Sequence, residues 1–251
     1  MKQNSETTVY LVGAGPGDPE LLTLKALRLI QAAEVIVYDD LVNEQLLDHA
    51  AENCVRHYVG KRCGRHHKTQ TEINALLLEY TQKYRNIVRL KGGDPMLFGR
   101  GAEEALFLQR HGIHFTVVPG VSSALAGPAV AGIPLTSRDI NASVTIMTGH
   151  ESKHGPSKID WEKLSGNLII LMGIHRLQSL VDKLLTISGY AAATPIAVIY
   201  RATCAEQHVD TFTLGELDKY LPQLKSPSVI VIGEIVRMRE QLLEVEQLVA
   251  S

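Results

Sequence analysis

The segment NIVRLKGGDPMLFGR, from Asn86 to Arg100, carries the clearest structural signal in this chain. Ile87, Val88 and Leu90 form a short apolar run typical of a strand, and Gly92 and Gly93 then remove two side chains where the chain must turn. The helical pattern AEEALFLQRHG follows. In an open α/β sheet, ligands bind outside the carboxyl ends of the strands, and adjacent glycines let a ligand approach the backbone. The stretch therefore predicts a strand, a ligand-binding turn and a helix, although a bare GGDP motif also fits a simple turn.

Strand and helix patterns alternate through the first half of the chain. Strands are predicted at 9–12, 35–38, 55–59, 87–90 and 115–118, and helices at 20–32, 69–83 and 102–110. The sequence TQTE from Thr69 to Glu72 is a capping box, which predicts the start of a helix. Such alternation is typical of an α/β fold with a parallel sheet and helices on its faces. Pro119-Gly120 interrupts the pattern, so we predict an N-terminal domain over residues 1–118 that contains the parallel sheet and the GGDP loop.

The second half predicts another α/β domain, over residues 119–251, with a mixed sheet. It begins with a helix of small residues at 122–131. Strands are predicted at 143–148, 168–172, 196–200, 209–212 and 229–232, and helices at 176–188, at 214–220 and from 239 onward. The predicted fold class is therefore α/β, with two domains.

The composition is that of an ordinary globular chain. With 251 residues and 45% hydrophobic residues, the chain can bury a proper core. Its formal net charge of −2 provides no basic field for nucleic acid. No apolar run reaches the length of a membrane span, and the amino end lacks the basic and apolar regions of a signal peptide. We therefore expect a cytoplasmic protein without nucleic-acid or membrane partners.

The cysteines and histidines indicate no metal site. Cys54, Cys63 and Cys204 are odd in number and widely spaced, so neither a disulfide framework nor a zinc site is expected. His111 and His114 lie three residues apart without a third ligand nearby, which favours solvated side chains. We predict free thiols and no metal.

The turn GAGPGDP, at 13–19, is similar to the glycine-rich fingerprint of dinucleotide-binding domains. The sixth position of the G-x-G-x-x-G pattern holds Asp18 instead of glycine, and Pro16 removes a backbone donor that a pyrophosphate needs. The turn is therefore a weak candidate for a NAD site. A dinucleotide-binding dehydrogenase or a ligand-binding module stays an open alternative at this point.

Three further polar segments are candidates for chemistry. Asp39 and Asp40 follow the second predicted strand, where capping and function are equally good explanations. The loop GKRCGRHHK, at 60–68, is rich in cations and suits carboxylates or phosphates as well as plain solvation. His150 ends a predicted strand, although a lone histidine seldom has a chemical role.

The ordered motifs together resemble the uroporphyrinogen-III C-methyltransferase family of the tetrapyrrole methylase superfamily. They are GAGPGDPELLTLKA, VYDDLV, GKR, VRLKGGDPMLFGRGAEE, VVPGVSSALA, AGIPLTSRD, TGH, LIILMG and SPSVIVIGEIV. The resemblance covers nearly the whole chain. It implies two α/β domains with the active site in the cleft between them, S-adenosylmethionine (SAM) as methyl donor, S-adenosylhomocysteine as product, and a homodimer. It also implies two methylations of uroporphyrinogen III, at C2 and C7, which give precorrin-2 for siroheme, cobalamin or heme d1 synthesis.

The resemblance also implies roles for individual residues. The SAM-binding positions are Pro16, Gly92, Gly93, Asp94, Leu97, Ser122, Ser123, Met172 and Ala202. The catalytic positions are Asp39 as proton acceptor, Lys61 as proton donor, and Arg100 and Glu103. The substrate-binding positions are Arg62, Arg65, Arg100, Arg138 and Met172. The chain departs from the family pattern at Met96, Ser123, Ser137 and Ala202.

The residues suit this chemistry. A sulfonium methyl group is a strong electrophile and a pyrrole carbon a competent nucleophile, so the enzyme mainly aligns the two and excludes water. A base is still needed because a proton leaves the macrocycle after each attack. A sister methylase that acts on a later corrinoid is the alternative within the same class.

Overall fold

The computed structural model describes residues 7–60, 68–150 and 157–243, which form two compact units, Met1–Ser122 and Ser123–Ser251. Each unit holds one five-stranded sheet, so the predicted α/β class is confirmed. The division between the units falls slightly after the predicted boundary at 118/119.

Unit 1 is a parallel α/β sheet. Its strands are β1 (Thr8–Gly13), β2 (Val35–Tyr38), β3 (Val55–Tyr58), β4 (Asn86–Lys91) and β5 (His114–Val118), and its helices are α1 (Leu24–Gln31), α2 (Gln70–Thr81) and α3 (Gly101–Arg110). The strand order is β3-β2-β4-β1-β5, and each neighbouring pair is parallel. All five carboxyl ends therefore lie at one edge of the sheet.

The starts of the helices in unit 1 are mostly fixed by capping residues that lie close by in the sequence. The predicted capping box is present, because the Thr69 hydroxyl caps Glu72 N and the Glu72 carboxylate accepts from Thr69 N. The helix predicted at 20–32 is divided into a 3-10 turn, Pro19–Leu21, and α1, since Asp18 caps the first and Thr23 the second. A 3-10 helix at Glu44–His49, for which the sequence analysis made no prediction, joins β2 to β3.

Both faces of the unit 1 sheet are buried. One face packs Val12, Ile36 and Leu90 with Ile30 of α1. The other packs the alternate positions of the same strands, such as Leu11 and Ile87, with residues of α2 and α3. A parallel sheet covered on both faces places its strands in the core and leaves the strand ends for function.

Unit 2 is a mixed α/β sheet. Its strands are β6 (Val144–Thr148), β7 (Asn167–Leu171), β8 (Pro195–Tyr200), β9 (His208–Thr213) and β10 (Ser228–Ile232), and its helices are α4 (Ser123–Val130), α5 (Leu177–Thr186) and α6 (Leu217–Tyr220). The order is β6-β7-β10-β8-β9, in which β6 and β7 are parallel and the other pairs antiparallel.

The helix α4 lies close to the sheet because its residues are small. A Cβ added to Gly127 would lie 3.1 Å from the Ala202 Cβ and 3.3 Å from a Val229 methyl group. The opposite face of the sheet packs against α5, with Leu177, Leu180 and Leu184 in one cluster. The terminal helix begins at 238 and is described as far as 243. Among the described residues, no helix is both long enough and apolar enough to cross a bilayer.

Candidate functional site

The loops after β1, β4 and β5 meet through glycine backbones at the carboxyl edge of the unit 1 sheet. Gly15 and Gly93 form an isolated bridge, with Gly93 N donating to Gly15 O at 2.7 Å. A Cβ added to Gly13 would lie 2.5 Å from the Gly120 Cα, and one added to Gly120 would lie 2.3 Å from the Gly93 carbonyl oxygen. These contacts leave no room for a side chain at Gly13 or Gly120. We call Gly13, Gly15, Gly93 and Gly120 the glycine edge.

Gly93 is the member of the glycine edge that faces open space. Its φ is +65°, which favours glycine, and an added Cβ would meet only the Ser122 Cα, at 3.8 Å. A ligand can therefore contact the Gly93 backbone directly. Gly92 differs, because a Cβ there would lie 2.5 Å from the Leu41 Cβ.

The Asp94 side chain links the GGDP loop to the loop after β5 by a hydrogen bond. Its Oδ2 accepts from Gly120 N at 3.0 Å and its Oδ1 accepts from Met96 N at 2.7 Å. A carboxylate has about four acceptor positions, so each oxygen keeps one for a ligand donor. Asp94 thus serves the loop structure and is also placed for ligand binding beside Gly93.

The loop that follows Asp94 contains backbone strain. Phe98 and Arg100 have φ values of 53° and 58°, in the left-handed region that side chains disfavour. Gly99 and Gly101 leave no space for a Cβ, which would lie 2.7 and 2.4 Å from the Pro95 carbonyl oxygen. Strained non-glycine residues cluster at binding and active sites. The strain here points to a functional loop.

Arg100 and Glu103 form a two-point ion pair. Nε of Arg100 lies 2.9 Å from Oε1 of Glu103, and Nη2 lies 2.6 Å from Oε2. The hydrogen bond between them raises the pKa of Arg100 and lowers that of Glu103. Both side chains are 55% exposed, so the guanidinium fork is accessible and already adopts the geometry that holds a carboxylate.

Asp39 lies at the carboxyl end of β2 with an arginine from the neighbouring strand. Its Oδ2 accepts from Nη2 of Arg89 at 3.1 Å, and its Oδ1 accepts from Leu41 N at 3.3 Å. The Asp39 side chain is 29% exposed, whereas that of Arg89 is 3% exposed. The carboxylate therefore has one buried cationic partner and one side open to solvent, as a base that meets a ligand requires.

Arg89, Lys91 and Glu104 form a buried charge cluster that the sequence analysis missed. Oε1 of Glu104 accepts from Nε of Arg89 at 3.2 Å, from Nζ of Lys91 at 3.0 Å and from Nε2 of Gln70 at 3.0 Å. Burial and the nearby Arg89 lower the pKa of Lys91, and Glu104 opposes this shift. A signal was present, because parallel strands buried on both faces are normally continuous apolar runs and β4 carries two cations.

The remaining candidates of unit 1 lie in the loops that surround these groups. Pro16 follows Gly15, Leu97 lies in the strained loop after Asp94, and Ser122 is buried at the end of the unit. The predicted site residues Lys61, Arg62 and Arg65 lie outside the described residues. The described candidates of unit 1 therefore lie in the loops that follow β1, β2, β4 and β5, apart from Glu103, which lies in the first turn of α3.

In unit 2, two candidates follow strands that point the same way. Met172 follows β7 with a φ of 56°, and its side chain is 54% exposed. Ala202 is buried after β8, between Arg201 and Thr203, whose φ values are 43° and 69°. Both turns lie at the same edge of the sheet, since β7 and β8 are each antiparallel to β10. Ser123 begins α4.

Arg138 is exposed in a turn that Asn141 organises. The Asn141 side chain donates to Leu135 O at 3.0 Å and to Ser143 O at 2.7 Å, and it accepts from Ser137 N at 3.2 Å.

Among the described residues, no group of three or more histidine, cysteine or acidic side chains is arranged to hold a metal ion.

Comparisons with known proteins identify the family of this chain. The family model for tetrapyrrole (corrin/porphyrin) methylases matches residues 8–218. The uroporphyrinogen-III C-methyltransferase of Methanocaldococcus jannaschii is 46% identical over 92% of this chain and 97% of its own. A siroheme synthase of Aeromonas hydrophila is 48% identical over 96% of this chain, which spans only 51% of that protein. The structure of a Thermus thermophilus uroporphyrin-III C-methyltransferase complexed with S-adenyl homocysteine is 40% identical, with a TM-score of 0.80 over 92% of this chain and 99% of that one.

Proposed function

This chain belongs to the tetrapyrrole (corrin/porphyrin) methylase family, and we propose that it transfers methyl groups from SAM to uroporphyrinogen III. The observation that carries the proposal is the open backbone at Gly93, in a chain 46% identical to a named uroporphyrinogen-III C-methyltransferase over nearly the full length of both. Two successive methylations, at C2 and C7, would give precorrin-2. The likeness to siroheme synthases supports siroheme synthesis as a use of that product.

The residues fit the methyl donor. The space above Gly93 would be filled by any Cβ, and the free acceptor positions of Asp94 suit a hydroxyl or amine donor. In unit 1 we propose that Pro16, Gly92, Gly93, Asp94, Leu97 and Ser122 hold SAM. In unit 2 we propose the same role for Ser123, Met172 and Ala202.

Asp39 is the proposed base of the reaction. SAM supplies a sulfonium-bound methyl group, which an electron-rich pyrrole carbon attacks. A proton then leaves elsewhere in the macrocycle, since the methylated carbon itself carries no hydrogen, and the exposed side of the Asp39 carboxylate can accept it. Lys61 is the proposed proton donor.

The substrate carries carboxylates around its rim, which suit the cations proposed to bind it. These are Arg62, Arg65, Arg100 and Arg138, with Met172 as an apolar contact. Arg100 can bind a substrate carboxylate through its remaining Nη1 and Nη2 hydrogens while Glu103 stays bound, because the pair is exposed. Glu103 then keeps the guanidinium oriented.

The direct test is incubation of the protein with uroporphyrinogen III and SAM labelled in the methyl group. We expect a dimethylated product by mass spectrometry and two equivalents of S-adenosylhomocysteine. Methylation of a later corrinoid, with uroporphyrinogen III left unchanged, would instead indicate a sister methylase. Binding of NAD in preference to SAM, measured by calorimetry, would contradict the whole assignment.

We also propose a homodimer that works in the cytoplasm. The dimer rests on the family resemblance, and light scattering coupled to gel filtration tests it. The compartment rests on the cysteine pattern, since Cys54 and Cys204 are both free thiols.

A further inference from the structure

The Asp39 carboxylate is connected to the fully buried Glu104 through a single side chain. The Arg89 guanidinium donates Nη2 to Asp39 at 3.1 Å and Nε to Glu104 at 3.2 Å. Its Nη1 donates to the carbonyl oxygens of Val37, at 3.3 Å, and Leu90, at 3.1 Å. Each nitrogen of the guanidinium therefore has a defined partner.

We propose that Glu104 is a positioning residue that fixes the Asp39 carboxylate through Arg89. The inference rests on the proposed function, in which Asp39 is the base. Arginine suits the task because its planar fork holds two carboxylates at fixed angles, which a lysine cannot do. Glu104 itself is 0% exposed and lies on α3, so its position is set by the packing of the unit 1 core.

The alternative is that Glu104 only balances buried charge. Arg89 and Lys91 bring two positive charges to this face of β4, and Glu104 and Asp39 bring two negative charges. Leaving a buried cation without its partner is strongly destabilising, whatever the reaction. A useful test must therefore separate charge balance from positioning.

Glu104→Gln is a nearly isosteric probe. All three hydrogen bonds of the Glu104 carboxylate go to Oε1, while Oε2 is buried with no hydrogen-bond partner among the described residues. A glutamine can keep its amide oxygen at the Oε1 position. Its NH2 group then takes the Oε2 position, where no hydrogen bond is lost. The substitution preserves the shape but replaces the charge-assisted hydrogen bond to Arg89 Nε, about twice as strong as a neutral one, by a neutral bond, so residue 104 holds Arg89 less firmly.

Glu104→Gln combined with Lys91→Met restores the charge balance, because one charge of each sign is then lost. If Glu104 positions Asp39, we expect the double variant to recover unfolding free energy relative to Glu104→Gln while kcat stays low in both. The expected loss in kcat is at least about tenfold, since small misplacements of reacting groups are costly. KM and SAM affinity should stay within about twofold, because neither Glu104 nor Lys91 is a proposed ligand contact.

The matched control is Glu79→Gln on α2, which removes an exposed carboxylate paired with Lys83. We expect wild-type kcat for this variant. A double variant whose kcat returns to within about twofold of wild type would overturn the positioning role and leave charge balance as the explanation. The double variant also keeps the test valid if Glu104→Gln alone does not fold.

A double-mutant cycle of unfolding free energies, measured by denaturant titration, tests the coupling between Glu104 and Asp39 without any substrate. Asp39→Asn is measured in the wild type and in the Glu104→Gln and Lys91→Met background. Because Arg89 donates hydrogen bonds to both carboxylates, we expect the two changes to be non-additive in unfolding free energy. Additive values would overturn the inference. Absence of methyl transfer by the wild type would overturn the proposed function instead, and the cycle would still decide whether Glu104 acts on Asp39.

Discussion

The Asp94 carboxylate accepts a hydrogen bond from the backbone N–H of Gly120, at 3.0 Å, and so joins the loop after β4 to the loop after β5. The same side chain also holds Met96 N at 2.7 Å. Asp94, at the centre of the proposed ligand-binding turn, thus also stabilises the turn.

We expect Asp94→Ala to weaken both SAM binding and the fold. Loss of a hydrogen bond to a charged group costs about 1.5–3 kcal/mol, which we expect in SAM affinity by calorimetry. The unfolding free energy should fall as well, because Gly120 N and Met96 N lose their acceptor. Asp160→Ala, which removes an exposed partner of Lys163, is the control and should leave both values unchanged. Wild-type SAM affinity in a folded Asp94→Ala variant would remove the GGDP loop from the cofactor site.

Two glycines with the same backbone conformation give a matched test of the cofactor site. Gly93 has φ +65° beside the proposed ligand space, and Gly112 has φ +67° with nothing within 4 Å of an added Cβ. Alanine at either position should cost roughly 1–2 kcal/mol of unfolding free energy through left-handed strain. Only Gly93→Ala should also weaken SAM binding, by at least about tenfold or 1.4 kcal/mol, because its methyl group occupies ligand space. Equal SAM affinities in the two variants would contradict the assignment.

Arg100→Lys tests recognition of a substrate carboxylate. Lysine keeps the charge but cannot form two parallel hydrogen bonds. We expect methyl transfer to fall at least about tenfold, equivalent to about 1.4 kcal/mol, with SAM affinity and melting temperature close to wild type. Arg237→Lys is the control, because Arg237 forms a similar exposed pair with Glu234 and is not a site candidate. A wild-type turnover rate for Arg100→Lys would contradict the role of Arg100 and leave Arg62, Arg65 and Arg138 as the proposed ligands of the substrate carboxylates.

Glu34 makes the stability of unit 1 depend on pH. Its carboxylate accepts from Asn86 N at 2.9 Å and from Arg85 N at 2.6 Å, and these bonds lower the pKa of Glu34. Because the pKa is lower in the folded chain, the stabilisation is present at neutral pH and lost as the pH falls through the folded pKa. Glu34→Gln should therefore lower the melting temperature slightly at about pH 7 and less at about pH 3.

Glu52→Gln provides the comparison for Glu34. Glu52 is exposed in the same unit and accepts no hydrogen bond from a described residue. We expect its melting temperature to follow the wild type at both pH values. A constant difference between Glu34→Gln and the wild type across this pH range would show that the two backbone bonds do not depend on the charge.

The cysteines should all be free thiols with different reactivity. Burial raises the pKa of the Cys54 thiol, whereas Cys204 is partly exposed. Since the thiolate is the reactive form, Cys204 should be labelled before Cys54 in the folded protein. Denaturation should expose three thiols, and a chelator should leave methyl transfer unchanged. Fewer than three thiols, or loss of activity with the chelator, would contradict the prediction.

Local signals in the sequence predicted much of the fold. The bounds of β2 are those predicted, because Val35 to Tyr38 is a short apolar run between polar residues. The start of α2 is fixed by the reciprocal bonds of Thr69 and Glu72, which a four-residue motif specifies completely. Such features need no tertiary contact, so they can be predicted from the sequence alone.

Features that depend on tertiary contacts were harder to predict. Glu103 and Glu104 are adjacent in GRGAEE, and no local pattern shows that one is exposed with Arg100 while the other is buried with Arg89. That distinction depends on which face of α3 packs on β4. The glycine edge is similar, because Gly13 and Gly120 are needed only once three loops have come together.

The strand order of unit 1 has a consequence for how the protein is made. Among the described strands, β1 pairs with β4 and β5, so β1 has no partner until β4 has been synthesised. At about 5–20 residues/s, this wait lasts several seconds, during which Val9, Leu11 and Val12 are exposed. The contact between Gly13 and Gly120 can form only after β5, so the ligand-binding edge is completed last in this unit. A nascent chain stalled before β5 should therefore expose an apolar strand to chaperones and be unable to bind SAM.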